Sequence, residues 1–373
     1  MARPAIVWLA LVVVVSASSP AATAEPEEWL TGLRFPVNMA WAPDGTLFYA
    51  EKETGDVRMV VDGQVAAGAV ATVDVHVAFE QGLLGIAVDP GWPDEPWLYL
   101  YYSDASDGIN RLIRVRVSDG REVRREVLLD LLPTAGVYHN GGELLFAPDG
   151  MLLVTVGEAH QGYRAEDPTD LGGKVLRLAP DGSIPADNPV PGTRTYTLGH
   201  RNSFGLCADP DPGDIWETEN GPGGGDEVNR LVPAANYGWP FGMGPLGDER
   251  YTDPFAYFPE TIVPTGCAVW RGSLYVATYG DGILRRFALD PPRATESRAF
   301  DLGGSVYDLS VGPDDRLYAS TDEAIWRLGS APEVNSPAKP ARSSGVPSWV
   351  IIAIAAGLAV SLALRLRRTG GPR

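Results

Sequence analysis

One stretch near the start of the chain reads Trp41-Ala42-Pro43-Asp44-Gly45-Thr46-Leu47-Phe48-Tyr49, with a Pro-Asp-Gly turn between two apolar segments. Pro, Asp and Gly favour tight turns, whereas the aliphatic and aromatic residues beside them favour β-strands. The stretch therefore predicts a β-hairpin. The same pattern recurs further along the chain at residues 86–102, 144–156, 206–216, 268–276 and 309–318.

These six hairpins follow one another at intervals of roughly 40 to 60 residues. That interval is typical of a propeller blade, which is one four-stranded antiparallel sheet. The sequence therefore predicts an all-β fold, a six-bladed β-propeller. A β-sandwich or barrel is the alternative, although neither needs such regular hairpins. Long segments with helical periodicity are nearly absent, which disfavours an α/β fold.

The two ends of the chain differ from the part between them. Residues 1–24 combine an early arginine, an apolar run and small residues before position 25, as in a secretory signal peptide. Residues 346–364 are apolar and the basic tail at 365–373 follows, which predicts a single transmembrane helix with a cytoplasmic C-terminus. Residues 331–345 are rich in Pro, Ser and Ala, as in a flexible stalk. We therefore expect residues 25–330 to lie outside the cytoplasmic membrane on this tether; an uncleaved signal anchor and a buried core helix are the alternatives.

The charge of the chain limits its partners. The formal net charge is −18 although the C-terminal tail is basic, so the outer part is more acidic than the total. This acidity argues against nucleic acid as a partner.

The two cysteines, Cys207 and Cys267, both lie in the part expected to be exported. They form either one disulfide or two buried thiols, and the sequence leaves both open.

A rare histidine marks a candidate site. The chain has four histidines, and His139 stands in the stretch Tyr138-His139-Asn140-Gly141-Gly142-Glu143, just before a predicted strand. The adjacent glycines allow another molecule to approach the backbone, so His139 is a candidate general base. An imidazole that only caps the strand is the alternative. Propellers bind ligands on the loops at one end of the central channel, which directs attention to the long insertions at 135–141, 198–205 and 217–240.

Several sequence blocks occur in the order and spacing of one enzyme family: 80–87, the His139 segment, 171–177, 184–189, 199–202, 219–222, 226–229 and 236–240. On these blocks the chain resembles the soluble quinoprotein glucose dehydrogenases and aldose sugar dehydrogenases, also called glucose/sorbosone dehydrogenases. The resemblance implies a six-bladed propeller. It also implies oxidation of the anomeric carbon of aldoses to lactones, with pyrroloquinoline quinone (PQQ) as cofactor and a calcium ion that holds it.

The resemblance also assigns roles to individual residues. His139 matches the general base that takes the proton of the sugar C1 hydroxyl, a role that suits a neutral imidazole. Arg201 matches the residue beside the quinone carbonyl, where a guanidinium stabilises negative charge, and Asn202 adds a hydrogen bond there. Glu80 stands where the family has a glutamine that contacts PQQ.

Calcium ligands are implied in the same way. Gly221 and Pro222 match backbone carbonyl ligands of the cofactor calcium, a hard cation that prefers oxygen. Glu227 and Tyr237 match a second calcium site that is structural in the family. An ordinary solvated turn is the alternative interpretation of the glycine-rich loop at 223–227.

The chain departs from the family where the three carboxylates of PQQ are neutralised. Gly280 stands in place of a lysine, and Ser305 and Tyr307 stand in place of two arginines. Charged hydrogen bonds are worth about 1.5 to 3 kcal/mol each, so their loss weakens binding unless other cations replace them. Four cations elsewhere in the chain are candidates for this replacement: Lys174, Arg271, Arg285 and Arg286.

Three functions follow from this pattern. The first is a membrane-tethered, PQQ- and calcium-dependent aldose dehydrogenase that passes electrons to an external acceptor, either membrane quinone or a small redox protein. The second is a non-catalytic propeller that binds calcium and carbohydrate, which the missing cations favour. The third is a calcium-dependent lactone hydrolase, because other six-bladed propellers use a calcium ion in the channel in that way.

Overall fold

The six predicted hairpins are all present in the computed structural model, which describes residues 25–134, 136–211 and 213–329. Each hairpin forms the first two strands of one antiparallel sheet, and the six sheets form a ring. The predicted six-bladed β-propeller is therefore confirmed. The predicted signal peptide, stalk, transmembrane segment and basic tail lie outside the described residues. Within the described residues, no helix has the length and apolarity needed to cross a bilayer.

Blades 2 to 5 each consist of four strands in chain order, and one short 3-10 helix, Gly162–Glu166, follows the second strand of blade 3. Blade 2 contains β7 (Leu83–Val88), β8 (Trp97–Ser103), β9 (Asn110–Ser118) and β10 (Arg121–Leu132). Blade 3 contains β11 (Gly141–Phe146), β12 (Leu152–Val156), β13 (Lys174–Leu178) and β14 (Thr195–Leu198). Blade 4 contains β15 (Ser203–Ala208), β16 (Ile215–Glu219), β17 (Asp226–Arg230) and β18 (Ala256–Phe258). Blade 5 contains β19 (Pro264–Trp270), β20 (Ser273–Thr278), β21 (Ile283–Ala288) and β22 (Ser297–Asp301).

The first and last blades depart from this order. In blade 1 the first three strands are followed by two short ones, which pair with different parts of the third: β2 (Pro36–Trp41), β3 (Leu47–Glu51), β4 (Asp56–Val61), β5 (Gln64–Val65) and β6 (Ala71–Thr72). Blade 6 takes its outermost strand from the opposite end of the domain: β23 (Asp308–Val311), β24 (Leu317–Ser320), β25 (Ala324–Leu328) and β1 (Glu27–Thr31). The hairpin pattern does not predict this closure, because β1 has no partner nearby in the sequence.

The blades are held together by apolar side chains on both faces of each sheet. Strand β3 shows the pattern: Phe48 and Ala50 pack toward blade 2, whereas Leu47 and Tyr49 pack toward blade 6. Successive residues of a strand point to opposite faces, so a strand that is buried on both sides is apolar throughout. This explains the continuous apolar runs in the sequence.

The first strands of neighbouring blades contact one another around the ring, in the order β2, β7, β11, β15, β19 and β23, and they line the central channel. Each first strand pairs antiparallel with the second strand of its blade; for example, Gly141 lies opposite Val156 and Ser203 lies opposite Glu219. Residues just before a first strand and just after a second strand therefore lie at the same end of the channel. We call this end the loop face.

A disulfide joins Cys207 in blade 4 to Cys267 in blade 5, with 5.7 Å between the Cα atoms. The two cysteines lie on the first strands β15 and β19, and both side chains are buried. The structure thus resolves the two alternatives left by the sequence. The bond connects adjacent blades beside the channel.

We expect removal of this disulfide to destabilise the ring. The two cysteines are 60 residues apart in sequence, and closure of a loop of that length is worth up to about 4 kcal/mol in the chain-entropy model. The double variant C207S/C267S should lose about 2 to 4 kcal/mol of unfolding free energy in a denaturant titration. Dithiothreitol should destabilise the wild type but not the double variant; an equal response of both proteins to the reductant would contradict the assignment.

Candidate functional site

Three segments that precede first strands meet on the loop face, and they come from blades 2, 3 and 4. Glu80 precedes β7, His139 precedes β11, and Arg201 and Asn202 precede β15. The backbone N–H of Glu80 donates to the Val137 carbonyl at 3.1 Å, which connects the first two segments. The structure therefore brings together the four residues predicted for catalysis and for cofactor contact.

The backbone at His139 is unusual. His139 has a positive φ of 60°, a region that few residues other than glycine adopt. It is held there by close packing against Gly157, where an added Cβ would lie 2.1 Å from the His139 carbonyl oxygen. Any larger residue at position 157 would displace the histidine. The position of His139 is thus determined by the loops of blade 3 and not by its own conformational preference.

The His139 ring is fixed by Glu158, which follows the second strand of the same blade. Nδ1 lies 2.6 Å from Glu158 Oε1, and both side chains are buried. The backbone N–H of Glu158 donates to the Arg201 carbonyl at 3.0 Å, so this acid is positioned from blade 4 as well. If Nδ1 donates its proton to Glu158, Nε2 is left with a lone pair. Among the described residues, no side chain or backbone group forms a hydrogen bond with Nε2.

Burial and nearby positive charge keep the His139 imidazole neutral. Burial, the Arg201 guanidinium and His160 together lower the pKa of His139 to about 2. Burial raises the pKa of Glu158, whereas Arg201 acts in the opposite direction and favours its carboxylate. Since the cation Arg201 stabilises a negative charge on Glu158 and opposes a positive charge on His139, we assign the pair as carboxylate and neutral imidazole.

Glu80 connects His139 to Asn202. The His139 backbone N–H donates to Glu80 Oε2 at 2.6 Å, and Asn202 Nδ2 lies 3.3 Å from both carboxyl oxygens. Burial raises the pKa of Glu80 to about 7, and hydrogen bonds from His139 and Asn202 act against this shift. Both oxygens are therefore satisfied by protein donors, which weakens the repulsion that a carboxylate here would exert on an anionic ligand.

Arg201 joins the histidine segment to the glycine-rich loop. Its Nη1 donates to the Asn220 carbonyl at 2.8 Å and to the Gly221 carbonyl at 3.2 Å, and its guanidinium lies 5.5 Å from the Trp239 ring centroid. Its backbone N–H donates to Glu219. The guanidinium is thus held within the site, close enough to shift the pKa values of His139 and Glu158.

The loop that carries Gly221 and Pro222 is shaped by Asp226. One carboxyl oxygen of Asp226 accepts the Gly221 N–H at 2.8 Å, and the other accepts the N–H groups of Ile262 and Val263 at 2.7 and 2.8 Å. Asp226 is therefore occupied by backbone donors, and the oxygens that the loop can offer to a ligand are backbone carbonyls. Such a set fits a hard cation that receives its remaining ligands from another molecule.

Glu227 and Tyr237, the predicted second calcium ligands, are buried in and beside blade 4. Glu227 accepts the Gly244 N–H and a hydrogen bond from Asn229 Nδ2 at 3.3 Å. The Tyr237 hydroxyl donates to the Arg230 carbonyl at 2.7 Å. Neither side chain forms a hydrogen bond with Glu80 or His139 among the described residues, and their role as calcium ligands stays a prediction.

Sequence reasoning missed two residues that contact the predicted base. Glu158 binds the His139 ring, and the exposed His160 ring lies 4.0 Å from it, measured between centroids. Both follow β12 in the segment Gly157-Glu158-Ala159-His160. The sequence did contain a signal for this contact. Two of the four histidines flank one predicted hairpin: His139 precedes its first strand and His160 follows its second.

The four cations suggested as replacement anchors all bind protein groups in this structure, and their role as anchors stays a prediction. Arg285 pairs with Asp281 at 2.7 Å, and Arg271 pairs with Asp315 at 2.8 Å. Lys174 donates to three backbone carbonyls, and Arg286 donates to the Ser273 hydroxyl at 2.9 Å. At the substituted positions, the Tyr307 hydroxyl donates to Asp322 at 2.6 Å and the Ser305 hydroxyl to the Tyr279 carbonyl at 3.1 Å.

Comparison with known proteins agrees with this architecture. The family model for glucose/sorbosone dehydrogenases matches residues 33–328. The aldose sugar dehydrogenase YliI of Escherichia coli is 28% identical over 82% of this chain and 92% of its own length. The solved structure of a glucose dehydrogenase-type oxidoreductase from Thermus thermophilus is 36% identical, with a TM-score of 0.77 over 82% of this chain and 99% of that one.

One similar structure was solved with a cofactor. The PQQ-bound aldose sugar dehydrogenase of Streptomyces coelicolor is 30% identical to this chain. The match has a TM-score of 0.75 and covers 83% of this chain and 99% of that one.

We expect the His139 imidazole to stay neutral in mildly acidic solution. Its folded pKa of about 2 lies below the ordinary value of 6.5, so below pH 6.5 the unfolded chain takes up a proton that the folded protein does not. The contribution of His139 to the free energy of unfolding is therefore fully present above pH 6.5, and it is lost progressively as the pH falls below 6.5. In ¹⁵N NMR the His139 ring signals, assigned by their loss in H139N, should not titrate between about pH 8 and pH 5. A midpoint near 6.5 would contradict the assignment.

Proposed function

Because the chain belongs to the glucose/sorbosone dehydrogenase family, we propose that it is a sugar dehydrogenase that uses PQQ and oxidises the anomeric carbon of an aldose to a lactone. The observation that carries the proposal is the buried His139–Glu158 pair beside Arg201, since it presents a neutral imidazole on the loop face of the propeller. The names of the relatives, an aldose sugar dehydrogenase and a PQQ-bound aldose sugar dehydrogenase, support the choice of substrate and cofactor.

In this proposal His139 is the general base. Its Nε2 accepts the proton of the C1 hydroxyl, while Glu158 accepts the Nδ1–H and so fixes both the tautomer and the orientation of the ring. When bound, PQQ supplies the acceptor for the hydrogen and the two electrons that leave C1. The imidazolium that forms is stabilised by the adjacent Glu158 carboxylate.

Arg201 supplies positive charge where negative charge develops. Its guanidinium is held by two carbonyls and packs near Trp239, so it needs little reorganisation to interact with a charged group in the site. Asn202 and Glu80 help to position the segment that carries His139. Asn202 donates to Glu80, and Glu80 accepts the His139 backbone N–H.

Calcium is the second component of the proposal. The backbone carbonyls of Gly221 and Pro222 would hold it, and its charge would favour the anionic cofactor. The Gly221 carbonyl already accepts a long hydrogen bond of 3.2 Å from Arg201, but a carbonyl oxygen has two lone pairs and can serve both. The donor set therefore fits calcium with further oxygens supplied by the cofactor. Glu227 and Tyr237 are proposed, on the resemblance alone, to hold a second, structural calcium ion.

We also propose that the propeller works outside the cytoplasm, tethered by residues 346–364, and passes its electrons to an external acceptor. The disulfide between Cys207 and Cys267 supports an oxidising compartment.

One observation favours a different function. Gly280, Ser305 and Tyr307 replace the cations that neutralise PQQ in the family, and the two polar side chains among them bind protein groups. A propeller that binds calcium and carbohydrate without redox chemistry would be consistent with this change. Sugar binding without turnover would identify that function.

The central test is reconstitution of the purified protein with PQQ and calcium. We expect turnover of aldoses with an artificial electron acceptor, together with a rise in melting temperature that depends on PQQ. His139→Asn should reduce turnover roughly 10²- to 10⁴-fold, because asparagine accepts the positive φ but cannot act as the base. Calcium binding should be unchanged in this variant. Absence of both turnover and the thermal shift in the wild type would overturn the proposal.

A second test addresses Glu158 as a positioning residue. Glu158→Gln keeps the shape of the side chain but removes the charge that stabilises the imidazolium, so kcat should fall roughly 10- to 1000-fold while KM for the sugar changes little. The matched control is Glu122→Gln, which removes a carboxylate paired with Arg125 on the outermost strand of blade 2 and should leave kcat unchanged. A rise in KM at constant kcat would show that Glu158 serves substrate binding instead.

A further inference from the structure

Lys52 is a buried lysine whose ammonium forms no direct contact with a carboxylate or carbonyl oxygen among the residues that the structure describes. It follows the second strand of blade 1, which places it on the loop face, and its side chain is 6% exposed. Among the described residues, no hydrogen bond or ion pair involves its Nζ; the ammonium lies 5.2 Å from the Phe35 ring centroid. Buried charges in proteins are normally paired and hydrogen-bonded. Burial lowers the pKa of Lys52 and the carboxyl groups of Glu53 and Glu80 act against this shift, but neither of them forms an ion pair with Nζ.

Lys174 provides a direct comparison within the same fold. These two are the lysines among the described residues, and both are buried. Lys174 Nζ donates to the carbonyls of Arg164, Ala165 and Gly172 at 2.7, 3.1 and 2.7 Å. This chain therefore satisfies a buried ammonium where its role is structural. Lys52 does not follow that pattern.

The position of Lys52 is fixed by its backbone and by a glycine. Its N–H donates to the Phe35 carbonyl at 3.0 Å, and its own carbonyl accepts the Leu83 N–H at 2.9 Å. A Cβ added to Gly82 would lie 2.9 Å from Lys52 Cγ, so the lysine stem lies directly against that glycine. Gly82 is two residues beyond Glu80, whose carboxyl group is close enough to affect the pKa of Lys52. The lysine is therefore next to the segment that binds His139 and Asn202.

On its other side, Lys52 approaches blade 6. The Phe35 ring on which the ammonium rests contacts the Tyr307 ring, with 4.7 Å between centroids. Tyr307 is one of the positions where the family carries an arginine and this chain does not. The Lys52 ammonium of blade 1 thus lies next to the positions in blade 6 where the arginines of the family are missing. It lies between those positions and the segment that contains Glu80.

We propose that Lys52 binds a carboxylate of PQQ and replaces the anchoring cations that are missing from blades 5 and 6. The inference rests on the proposed function, because PQQ is the ligand concerned. It assigns to this chain a cofactor-binding residue that comes from a different blade, and it explains why a buried ammonium is left without a protein partner.

The test is the equilibrium dissociation constant of PQQ, measured by isothermal titration in the presence of calcium. Lys52→Met keeps the length of the stem and removes the charge, and we expect the Kd to rise about 10- to 100-fold, the value of one charged hydrogen bond. Lys52→Arg keeps the charge and should stay within about threefold of wild type. Arg124→Met removes an exposed cation from the outermost strand of blade 2 and should leave the Kd unchanged.

Two further measurements separate this role from a structural one. Without ligand, the melting temperature of Lys52→Met should equal or exceed that of wild type, because the variant removes an unpaired buried charge. With the trimethyl ester of PQQ, which lacks the carboxylate charges, wild type and Lys52→Met should bind equally.

The outcomes are distinct. An unchanged PQQ Kd in Lys52→Met, or a lower melting temperature of this variant without ligand, would overturn the assignment of Lys52 while the proposed function stands. Absence of PQQ binding by the wild type would overturn both.

Discussion

Each blade of this propeller buries both faces of its sheet against its neighbours, and the structure depends on this packing. Strand β3 alone sends Phe48 toward blade 2 and Tyr49 toward blade 6. An open ring would leave the outer faces of its two terminal blades in water, at a cost proportional to their apolar area. The pairing of β1 with β25 closes the ring and removes those exposed faces.

Ring closure also creates the chemical environment of the site. Glu80, His139 and Arg201 come from segments before the first strands of three blades, and they meet because all first strands begin at the loop face. The same packing removes water from His139, and Arg201 adds positive charge beside it, so the imidazole stays neutral. An isolated histidine would titrate near its ordinary pKa. In the folded protein the imidazole of His139 is neutral and can therefore accept a proton, as a general base must.

The charges on the loop face form a connected arrangement. Glu80 lies between Arg201, which lowers its pKa, and Lys52, whose pKa it raises. Arg201 is bound by carbonyls of the glycine-rich loop, whereas the Lys52 ammonium rests on an aromatic ring. An acidic protein with a net charge of −18 thus keeps two cations on the loop face together with the buried His139–Glu158 pair. That arrangement is suited to an anionic ligand.

Turn residues and apolar runs are local signals, and they were enough to predict the six hairpins and the segments that carry His139 and Arg201. They did not predict the partnership of His139 with Glu158, the closure of blade 6 by β1 or the unpaired state of Lys52. The sequence also left the pairing of the two cysteines open, and it suggested Arg285 as an anchor although that side chain forms an ion pair with a nearby aspartate. Each of these depends on which residues become neighbours across blades or turns. The folded backbone decides these neighbours, because strand pairing within a blade places Glu158 beside His139, whereas packing between blades places Cys207 beside Cys267. The order of residues in the chain does not set those distances.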